Sequence, residues 1–274
     1  MKTYAITLRR NAERSRYIRE HLVSRGLDYE IVDAVDGSLL TEEEMTAACD
    51  MEVVDQWRWL LTNGAIGAAL SHYECCRQIV QSRENSGFIV EDDIVLPDNI
   101  KSILDEIEGE IGKDEIILML HSSFQKCRLS TIGRKDLKGA SLMYPIDVKY
   151  VGTAAAYVIG RDAAQGMLDT IKPICKAADS WYQFYNKKAF SSFRLYYPSS
   201  LNVTHFKSSI DYLDPKSIKG KLSNLINDYK IPLVYWFLKR LRMKRLNYRL
   251  DNYSLVEKES PIQVELKRDE RSIQ

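Results

Sequence analysis

The chain has 274 residues, of which 45% are hydrophobic, and a formal net charge of +1. This length and composition suit one large globular domain, or a domain with an appendage. Its five cysteines form no Cys-x-x-Cys pair, which argues against zinc-ribbon and thioredoxin-like sites and favours a reducing compartment. The sequence shows neither the apolar core of a signal peptide nor a long apolar run, so we expect a cytoplasmic protein without a spanning helix.

Basic charge is concentrated towards the end of the chain. Residues 216–250 contain ten Lys or Arg and one acid, Asp228, whereas the residues before them are acidic overall. A nucleic-acid-binding domain carries its basic charge around the binding site, so we predict no nucleic-acid partner. The pattern instead predicts a catalytic body over 1–210, a basic amphipathic helical segment over 211–250, and a charged, loosely ordered tail over 251–274.

Hydrophobic periodicity predicts alternating strands and helices along the body. In chain order we predict a strand at 3–8, a helix at 11–25, a strand at 29–32, a short helix after the capping box of 41–44, a helix at 64–81, a strand at 88–90, a helix at 100–107 and a strand at 115–120. An irregular, mobile loop over 122–143 is predicted next, then one or two strands within 149–159, helices at 162–171 and 181–185, and a strand at 193–197. This alternation is typical of an α/β fold with a Rossmann-type, mostly parallel sheet flanked by helices.

Three consecutive carboxylates, Glu91, Asp92 and Asp93, directly follow the apolar run 88–90. Ligands of open α/β sheets bind at the carboxyl ends of the strands, and adjacent carboxylates repel one another unless a cation neutralises them. Because Mg²⁺ and Mn²⁺ prefer oxygen ligands, the triplet predicts a divalent metal site, with a solvated acidic turn as the alternative. His205, beyond the last predicted strand, is either a further metal ligand or a surface histidine.

Four motifs occur in order along the chain: Ile6-Thr7-Leu8-Arg9-Arg10-Asn11, Ala34-Val35-Asp36-Gly37, Gly64-Ala65-Ile66-Gly67-Ala68-Ala69-Leu70-Ser71-His72, and Glu91-Asp92-Asp93. Together they resemble glycosyltransferase family 25, the lipooligosaccharide galactosyltransferases and their collagen-modifying relatives, over roughly residues 1–205. The chain departs from the family pattern at Thr7, where Asn is usual, at Ala68, where Cys is common, and at His205, where Gln is frequent.

The resemblance implies a sugar-nucleotide-binding fold of the GT-A type, a Mn²⁺ or Mg²⁺ ion, and an inverting transfer, most often from UDP-galactose to a glycan or glycolipid. It also implies that Asp93 binds the metal directly, while Glu91 or Asp92 faces the ribose or a metal-bound water; we assign Asp92 to the metal and Glu91 to the nucleotide. By the same resemblance, Gly152 and Thr153 lie near the donor sugar.

Further donor contacts are predicted around the first two strands. Arg14 starts the first helix, which is a natural anion site, and with Thr7 and Leu8 it is expected to contact the nucleotide; a solvated helix face is the alternative. Asp36 either binds uridine or ribose, or starts a turn with Gly37. Ser71 is a candidate substrate contact, whereas we interpret its neighbour His72 as structural, with a catalytic role as the alternative.

An inverting transfer requires a base that takes the proton of the acceptor hydroxyl. We predict Asp179, because a carboxylate at the start of a helix is held by backbone N–H groups. Trp181 beside it is expected to stack on a sugar ring. A plain helix cap is the alternative role for Asp179, and Asp147 is the reserve candidate for the base.

The segment 231–250 combines an apolar stripe, including Trp236 and Phe237, with six basic residues between 239 and 249. This pattern predicts an interfacial helix that binds the anionic inner face of the membrane; packing on the body or a dimer contact is the alternative. Taken together, the sequence predicts a metal-dependent inverting glycosyltransferase. A metal-dependent phosphohydrolase and a non-catalytic sugar-binding protein are the rival hypotheses.

Overall fold

A computed structural model describes residues 1–123, 125–204, 206, 236, 237, 240 and 252–257. Its helices are α1 (Ala12–Ser24), α2 (Glu42–Ala48), α3 (Met51–Gln56), α4 (Asn63–Gln81), α5 (Ile100–Glu108), α6 (Arg161–Ile171) and α7 (Trp181–Asn186), with a short 3-10 helix at Val148–Tyr150. Its strands are β1 (Lys2–Thr7), β2 (Tyr29–Asp33), β3 (Ser86–Glu91), β4 (Ile94–Val95), β5 (Glu115–Ser123), β6 (Cys127–Leu137), β7 (Ala140–Pro145), β8 (Val151–Gly160), β9 (Ser192–Tyr197), β10 (Asn202–Val203) and β11 (Tyr253–Val256).

The main sheet has the strand order β11-β6-β7-β9-β5-β8-β3-β1-β2. Within it, β7 and β8 run opposite to the other strands, because each pairs antiparallel with both of its neighbours. Strands β4 and β10 form a separate antiparallel pair. The predicted α/β fold, a large and mostly parallel sheet flanked by helices, is therefore confirmed.

Helices cover both faces of the sheet. Side chains of α2, α3, α4, α6 and α7 form one hydrophobic core with one side of the strands. Side chains of α1 and α5 form the second core on the other side. Alternate residues of β3 divide between these cores, with Ile89 in the first and Phe88 and Val90 in the second. This alternation decides where the acids after Val90 point.

Local signals set several element ends. The Thr41 side chain accepts a hydrogen bond from Glu44 N while the Glu44 carboxylate accepts one from Thr41 N, which is the predicted capping box. Gly26 follows α1 with a φ of 63°, a conformation that glycine adopts without strain.

The prediction of an irregular loop over 122–143 is wrong. Strands β6 and β7 form an antiparallel hairpin there, with a register shift between Ser130 and Lys135, and β7 also pairs with β9. Most of the second half of β6 is exposed and polar, so periodicity could not reveal a strand that pairing with its neighbours stabilises.

The region after residue 204 is described only in part. Tyr253–Val256 forms β11, which pairs in parallel with the start of β6, although the sequence had suggested no strand in that stretch. Most of the predicted basic segment 211–250 lies outside the described residues, as does most of the tail. Among the helices that the structure describes, none is long and apolar enough to cross a membrane.

Candidate active site

The candidate site lies at the carboxyl edge of the sheet, where β1 and β3 end side by side. Strand β1 pairs in parallel with β2 on one side and with β3 on the other, so the chain changes direction across the sheet between β1 and β3. A topological switch point of this kind leaves a crevice at which α/β proteins bind ligands. Thr7 at the end of β1 and the acids at the end of β3 line this point.

Asp92 is buried and points towards α1. Its Oδ2 accepts a hydrogen bond from Thr7 Oγ1 at 2.8 Å, and its Oδ1 is ion-paired with Arg14 Nη2. Burial raises the pKa of Asp92, and the charge of Arg14 and the hydrogen bond from Thr7 oppose that rise. Thr7 and Arg14, both predicted nucleotide contacts, therefore hold an acid of the triplet in this structure.

Asp93 shares the same arginine but is less well satisfied. Its Oδ2 lies 3.0 Å from Arg14 Nη2, whereas its buried Oδ1 has no hydrogen-bond partner among the described residues. Burial, followed by the negative charge of Glu91, raises the pKa of Asp93 to about 6. An orphaned, desolvated carboxylate oxygen is a suitable ligand for a hard cation.

The metal prediction is only partly matched by the side chains present. Within the described ranges, no group of three or more His, Cys, Asp or Glu side chains converges to hold a metal ion. Asp93 Oδ1 fits a divalent cation, but Asp92 is already engaged by Thr7 and Arg14. His205 lies outside the described residues; before it in the chain, Thr204 N donates to the Asp93 carbonyl at 2.7 Å.

Glu91 points to the opposite face from Asp92, towards α4. Its Oε1 lies 3.5 Å from Nε2 of the buried His72, and the Glu91 side chain is 33% exposed. His72 Nδ1 is in turn 3.0 Å from the hydroxyl of Tyr157 on β8. Sequence reasoning missed Tyr157; its only signal is a hydroxyl within the apolar residues that follow Thr153 in β8.

The loop after β2 is held against α4 by backbone contacts. The Ser71 hydroxyl accepts a hydrogen bond from Val35 N at 2.9 Å and donates one to Gly67 O, and it is buried. A Cβ at Gly67 would lie 2.5 Å from Val35 O, so only glycine permits this approach. Ser71 therefore positions the loop, and in this structure it is not exposed for the substrate contact that was predicted.

Asp36 in that loop forms a turn. Its Oδ1 accepts hydrogen bonds from the backbone N and hydroxyl of Ser38, and its Oδ2 lies 2.8 Å from Arg10 Nε. These contacts match the turn alternative, while the turn itself lies at the same edge of the sheet as Thr7. Leu8, the other predicted nucleotide contact there, follows β1 directly and accepts a hydrogen bond from Asn11 N through its carbonyl.

Asp179 holds the start of β8, which pairs antiparallel with β3 and therefore begins at the edge where the acids lie. Its Oδ2 accepts a hydrogen bond from Thr153 N at 3.1 Å, and Trp181 Nε1 donates to Thr153 O at 3.0 Å. Thr153 has a φ of 72°, an unfavourable backbone conformation for a β-branched residue. Gly152 precedes it and pairs with Ser122 at the end of β5.

Two predictions made around α7 need correction. The N-cap of α7 is Ser180 rather than Asp179, so the Asp179 carboxylate serves β8 instead of capping the helix. Trp181 is fully buried, with its ring packed against Tyr157 and Phe193. The predicted stacking of Trp181 on a sugar is therefore wrong for this conformation, because the indole offers no exposed face.

Asp147, the reserve base, is committed to another partner. Its carboxylate accepts hydrogen bonds from the Arg128 backbone N and from Nε, both through Oδ2, and from Nη2 through Oδ1, at 2.9–3.1 Å. It is also buried. A carboxylate paired in this way is poorly placed to take a proton from a substrate.

Comparison with known proteins identifies the family of the chain that carries this site. The model of glycosyltransferase family 25, described as an LPS biosynthesis protein, matches residues 1–182. The chain belongs to glycosyltransferase family 25. The matched residues include both sides of the candidate site, from Thr7 to Asp179, and they leave out β9, β10, His205 and β11.

Individual family members are more distant. A Haemophilus influenzae protein named "Putative glycosyltransferase" is 28% identical over 179 residues, which is 65% of this chain and 61% of that protein. Human procollagen galactosyltransferase 2 is 25% identical over 211 residues, covering 72% of this chain and 32% of the human protein; the mouse protein is 23% identical with the same coverage. The chain thus spans less than two thirds of the length of each of these relatives.

Proposed function

We propose that this protein is a metal-dependent inverting glycosyltransferase of the GT-A type. In this proposal it moves a hexose, with galactose from UDP-galactose as the first choice, to a glycan or glycolipid acceptor such as a lipooligosaccharide. The observation that carries the proposal is the placement of the buried acids after β3 and of Asp179 before α7 at one edge of a family 25 sheet. Named galactosyltransferases among the relatives favour galactose as the sugar.

Asp93 is the proposed protein ligand of the metal, through the Oδ1 atom that no described residue engages. A bound Mn²⁺ or Mg²⁺ supplies positive charge to the departing diphosphate. Arg14, held between Asp92 and Asp93, adds a fixed positive charge to the same region. His205 as a second ligand stays a prediction from sequence.

Asp179 is the proposed base. The acceptor hydroxyl oxygen forms a bond to the anomeric carbon of the donor while the bond from that carbon to the diphosphate oxygen breaks. The hydroxyl proton passes to the carboxylate, and the nucleoside diphosphate leaves with the electron pair. Thr153 N holds Oδ2, whereas Oδ1 has no donor among the described residues, which leaves it to accept that proton.

A donor screen tests this function. UDP-galactose, UDP-glucose and UDP-N-acetylhexosamines are incubated with the protein, with and without Mn²⁺, and released UDP is measured. Release of UDP from UDP-galactose that depends on Mn²⁺ and rises with a lipooligosaccharide acceptor is the expected result. Binding of the donor without any turnover would favour a sugar-binding protein, and release of inorganic phosphate from simple phosphoesters would favour a phosphohydrolase.

The phosphohydrolase alternative has little structural support. Enzymes that use an aspartate nucleophile at the end of a central strand need that aspartate exposed to the substrate. Here β1 ends in Thr7, and Asp92 after β3 is buried and bound to Thr7 and Arg14.

We also propose that residues 231–250 bind an anionic membrane surface, which places the enzyme at the inner face of the membrane. In the described part of this segment, Trp236 and Phe237 are helical and 59% and 57% exposed. The guanidinium of Arg240 lies 5.2 Å from the Trp236 ring. Exposed aromatic rings beside basic side chains suit the headgroup region of anionic lipid.

Vesicle co-sedimentation tests the membrane proposal. We expect binding to vesicles that contain phosphatidylglycerol, weaker binding at high salt, and a large loss in the double variant Trp236→Ala/Phe237→Ala. Equal sedimentation of the unaltered protein with neutral and anionic vesicles, or of variant and unaltered protein, would contradict it.

A further inference from the structure

A buried histidine of α4 contacts both an acid of the site and a tyrosine of the central strand β8. His72 on α4 is 2% exposed and lies between Glu91 Oε1, at 3.5 Å from Nε2, and the Tyr157 hydroxyl, at 3.0 Å from Nδ1. The His72 and Tyr157 rings are also stacked, with centroids 5.7 Å apart. The proposed chemistry gives this histidine no role.

The partners of His72 favour one arrangement of the hydrogens in this group. Burial raises the pKa of Tyr157 well above its usual value, so its hydroxyl keeps its proton. Among the described residues, the only hydrogen-bond partner of that hydroxyl is His72 Nδ1. In the tautomer in which the hydroxyl donates to Nδ1, the imidazole carries its hydrogen on Nε2, where it faces the Glu91 carboxylate.

Glu91 is the member of this group that reaches the site. It is the last residue of β3, its side chain is partly exposed, and its charge acts on the neighbouring Asp93. One carboxylate oxygen faces inward to His72, which leaves the other for a ligand at the edge of the sheet. A carboxylate held in this way suits the paired hydroxyls of a ribose or hexose.

We propose that His72 is a positioning residue that orients Glu91 for the hydroxyls of the sugar-nucleotide donor, with Tyr157 fixing its tautomer. The inference rests on the proposed function, since it takes a nucleotide sugar as the ligand. The 3.5 Å between Nε2 and Oε1 is longer than a usual hydrogen bond, so a hydrogen on Nε2 holds the Glu91 carboxylate by electrostatic attraction, and this attraction favours one orientation of the carboxylate. Releasing Glu91 therefore weakens donor binding without removing any group that touches the donor.

Two variants of His72 separate positioning from packing. In His72→Gln, the amide nitrogen occupies the place of Nε2 and can still donate to Glu91. In His72→Asn, the shorter amide reaches only the place of Nδ1, near Tyr157, and leaves Glu91 without its donor. Tyr157→Phe keeps the ring against Trp181 but removes the hydroxyl that fixes the tautomer.

Calorimetric titration with UDP-galactose in the presence of Mn²⁺ gives the first measurement. Loss of a polar contact of this length corresponds to roughly 5- to 10-fold in affinity, so we expect a weakening of about that size for His72→Asn. His72→Gln should stay within about three-fold of the unaltered protein, and Tyr157→Phe should fall between the two. Equal weakening in both His72 variants, or none in a folded His72→Asn, would overturn the proposal.

Nitrogen NMR of histidine-labelled protein gives a second measurement that needs no donor. The His72 signals should report hydrogen on Nε2 in the unaltered protein, a mixed tautomer in Tyr157→Phe, and a shifted Nε2–H signal in Glu91→Gln. Hydrogen on Nδ1, or signals unaffected by both variants, would also overturn the proposal. If the unaltered protein binds no UDP-sugar, the proposed function fails, while these signals still decide whether His72 is held as described.

Discussion

Glu91 and Asp92 are neighbours in the chain, yet their side chains leave the end of β3 towards opposite faces of the sheet. Glu91 meets His72 of α4, and Asp92 meets Thr7 of β1 and Arg14 of α1. The two-residue period of a strand imposes this separation. A run of three acids therefore supplies three different environments rather than one cluster of metal ligands. Of the three, Asp93 alone presents a buried oxygen that no described residue engages.

Replacing Asp93 with Asn should reduce sugar transfer by two or more orders of magnitude, since it removes the proposed metal ligand and its charge. The protein should stay folded, because a neutral amide is easier to bury than a carboxylate that burial already disfavours. UDP release and the thermal midpoint are the measurements. Asp98→Asn, at an exposed position paired with Arg25, is the matched control and should keep full activity. Unchanged turnover in Asp93→Asn, or in excess chelator, would refute the metal hypothesis.

Asp179→Asn should abolish transfer while donor binding persists. The amide oxygen still accepts the hydrogen bond from Thr153 N, but it takes no proton from the acceptor. Asp147→Asn should instead leave transfer largely intact and reduce stability. It weakens the buried pair with Arg128 and lowers the free energy of unfolding by about 1–3 kcal/mol. Turnover numbers and urea titrations of both variants distinguish them. Near-normal turnover in Asp179→Asn would mean that another group is the base.

The sequence allowed the order of elements and the edge that carries the site to be predicted, because both depend on local signals. Apolar runs, the capping box at Thr41 and the acids after Val90 are all readable within a few residues. The hairpin β6–β7 was missed, since its exposed residues are held by strand pairing rather than by an apolar face.

The partners of the site residues could not be predicted from sequence. Arg14 and Asp92 are 78 positions apart in the numbering, so no local sequence pattern indicates that they pair. Tyr157 contacts His72 only because of the order of the strands in the sheet. Their chemical type predicts Trp181 and Ser71 as ligand contacts, whereas in the fold both are buried and bond to the backbone of Thr153 and Val35. Residue type indicates what a side chain can do, and tertiary packing decides what it contacts.

Gly67→Ala should destabilise the protein and displace the loop that contains Asp36. The added Cβ would lie 2.5 Å from Val35 O and 2.7 Å from Gly37 N, and backbone atoms cannot yield as a flexible side chain does. Overpacking of this kind costs about 1–3 kcal/mol, measured here by urea unfolding. Gly109→Ala is the control, since its Cβ would meet only Glu106 O at 3.5 Å. Equal stability of the two variants would contradict the close contact.

His121 should make stability depend on pH. Burial lowers the pKa of His121 from 6.5 to about 4, and its Nε2–H donates to Tyr196 O at 3.0 Å. Between these values the unfolded chain binds a proton that the native state does not, so the free energy of unfolding falls as pH drops from about 6.5 to about 4. Over this pH range the free energy of unfolding falls by at most about 3 kcal/mol through this group. His121→Gln keeps a hydrogen-bond donor and does not titrate, so it should remove this part of the pH dependence of unfolding. If the free energy of unfolding changes with pH in the same way for both proteins, the prediction is contradicted.

The last prediction concerns β11, which closes the edge of the sheet beside β6. Tyr253 lies between His121 and Tyr197, with ring centroids 4.8 Å and 5.8 Å away, and Asn252 O accepts a hydrogen bond from Cys127 N. Tyr253→Ala should lower the free energy of unfolding by about 3 kcal/mol, as expected for the loss of a partly buried aromatic ring that packs against the core. Leu255→Ala, on the same strand but 50% exposed, should change it by less than about 0.5 kcal/mol.

Two shortened chains extend this test of β11. A chain that ends after Glu257 keeps the strand, whereas a chain that ends after Asp251 loses it and leaves the backbone of Cys127–Ser130 without its pairing partner. Unpaired strand edges are open to pairing with other chains. We therefore expect the shorter chain alone to unfold at lower urea and to form larger species in size-exclusion chromatography. The same unfolding midpoint for both chains would mean that β11 adds nothing to the stability of the sheet.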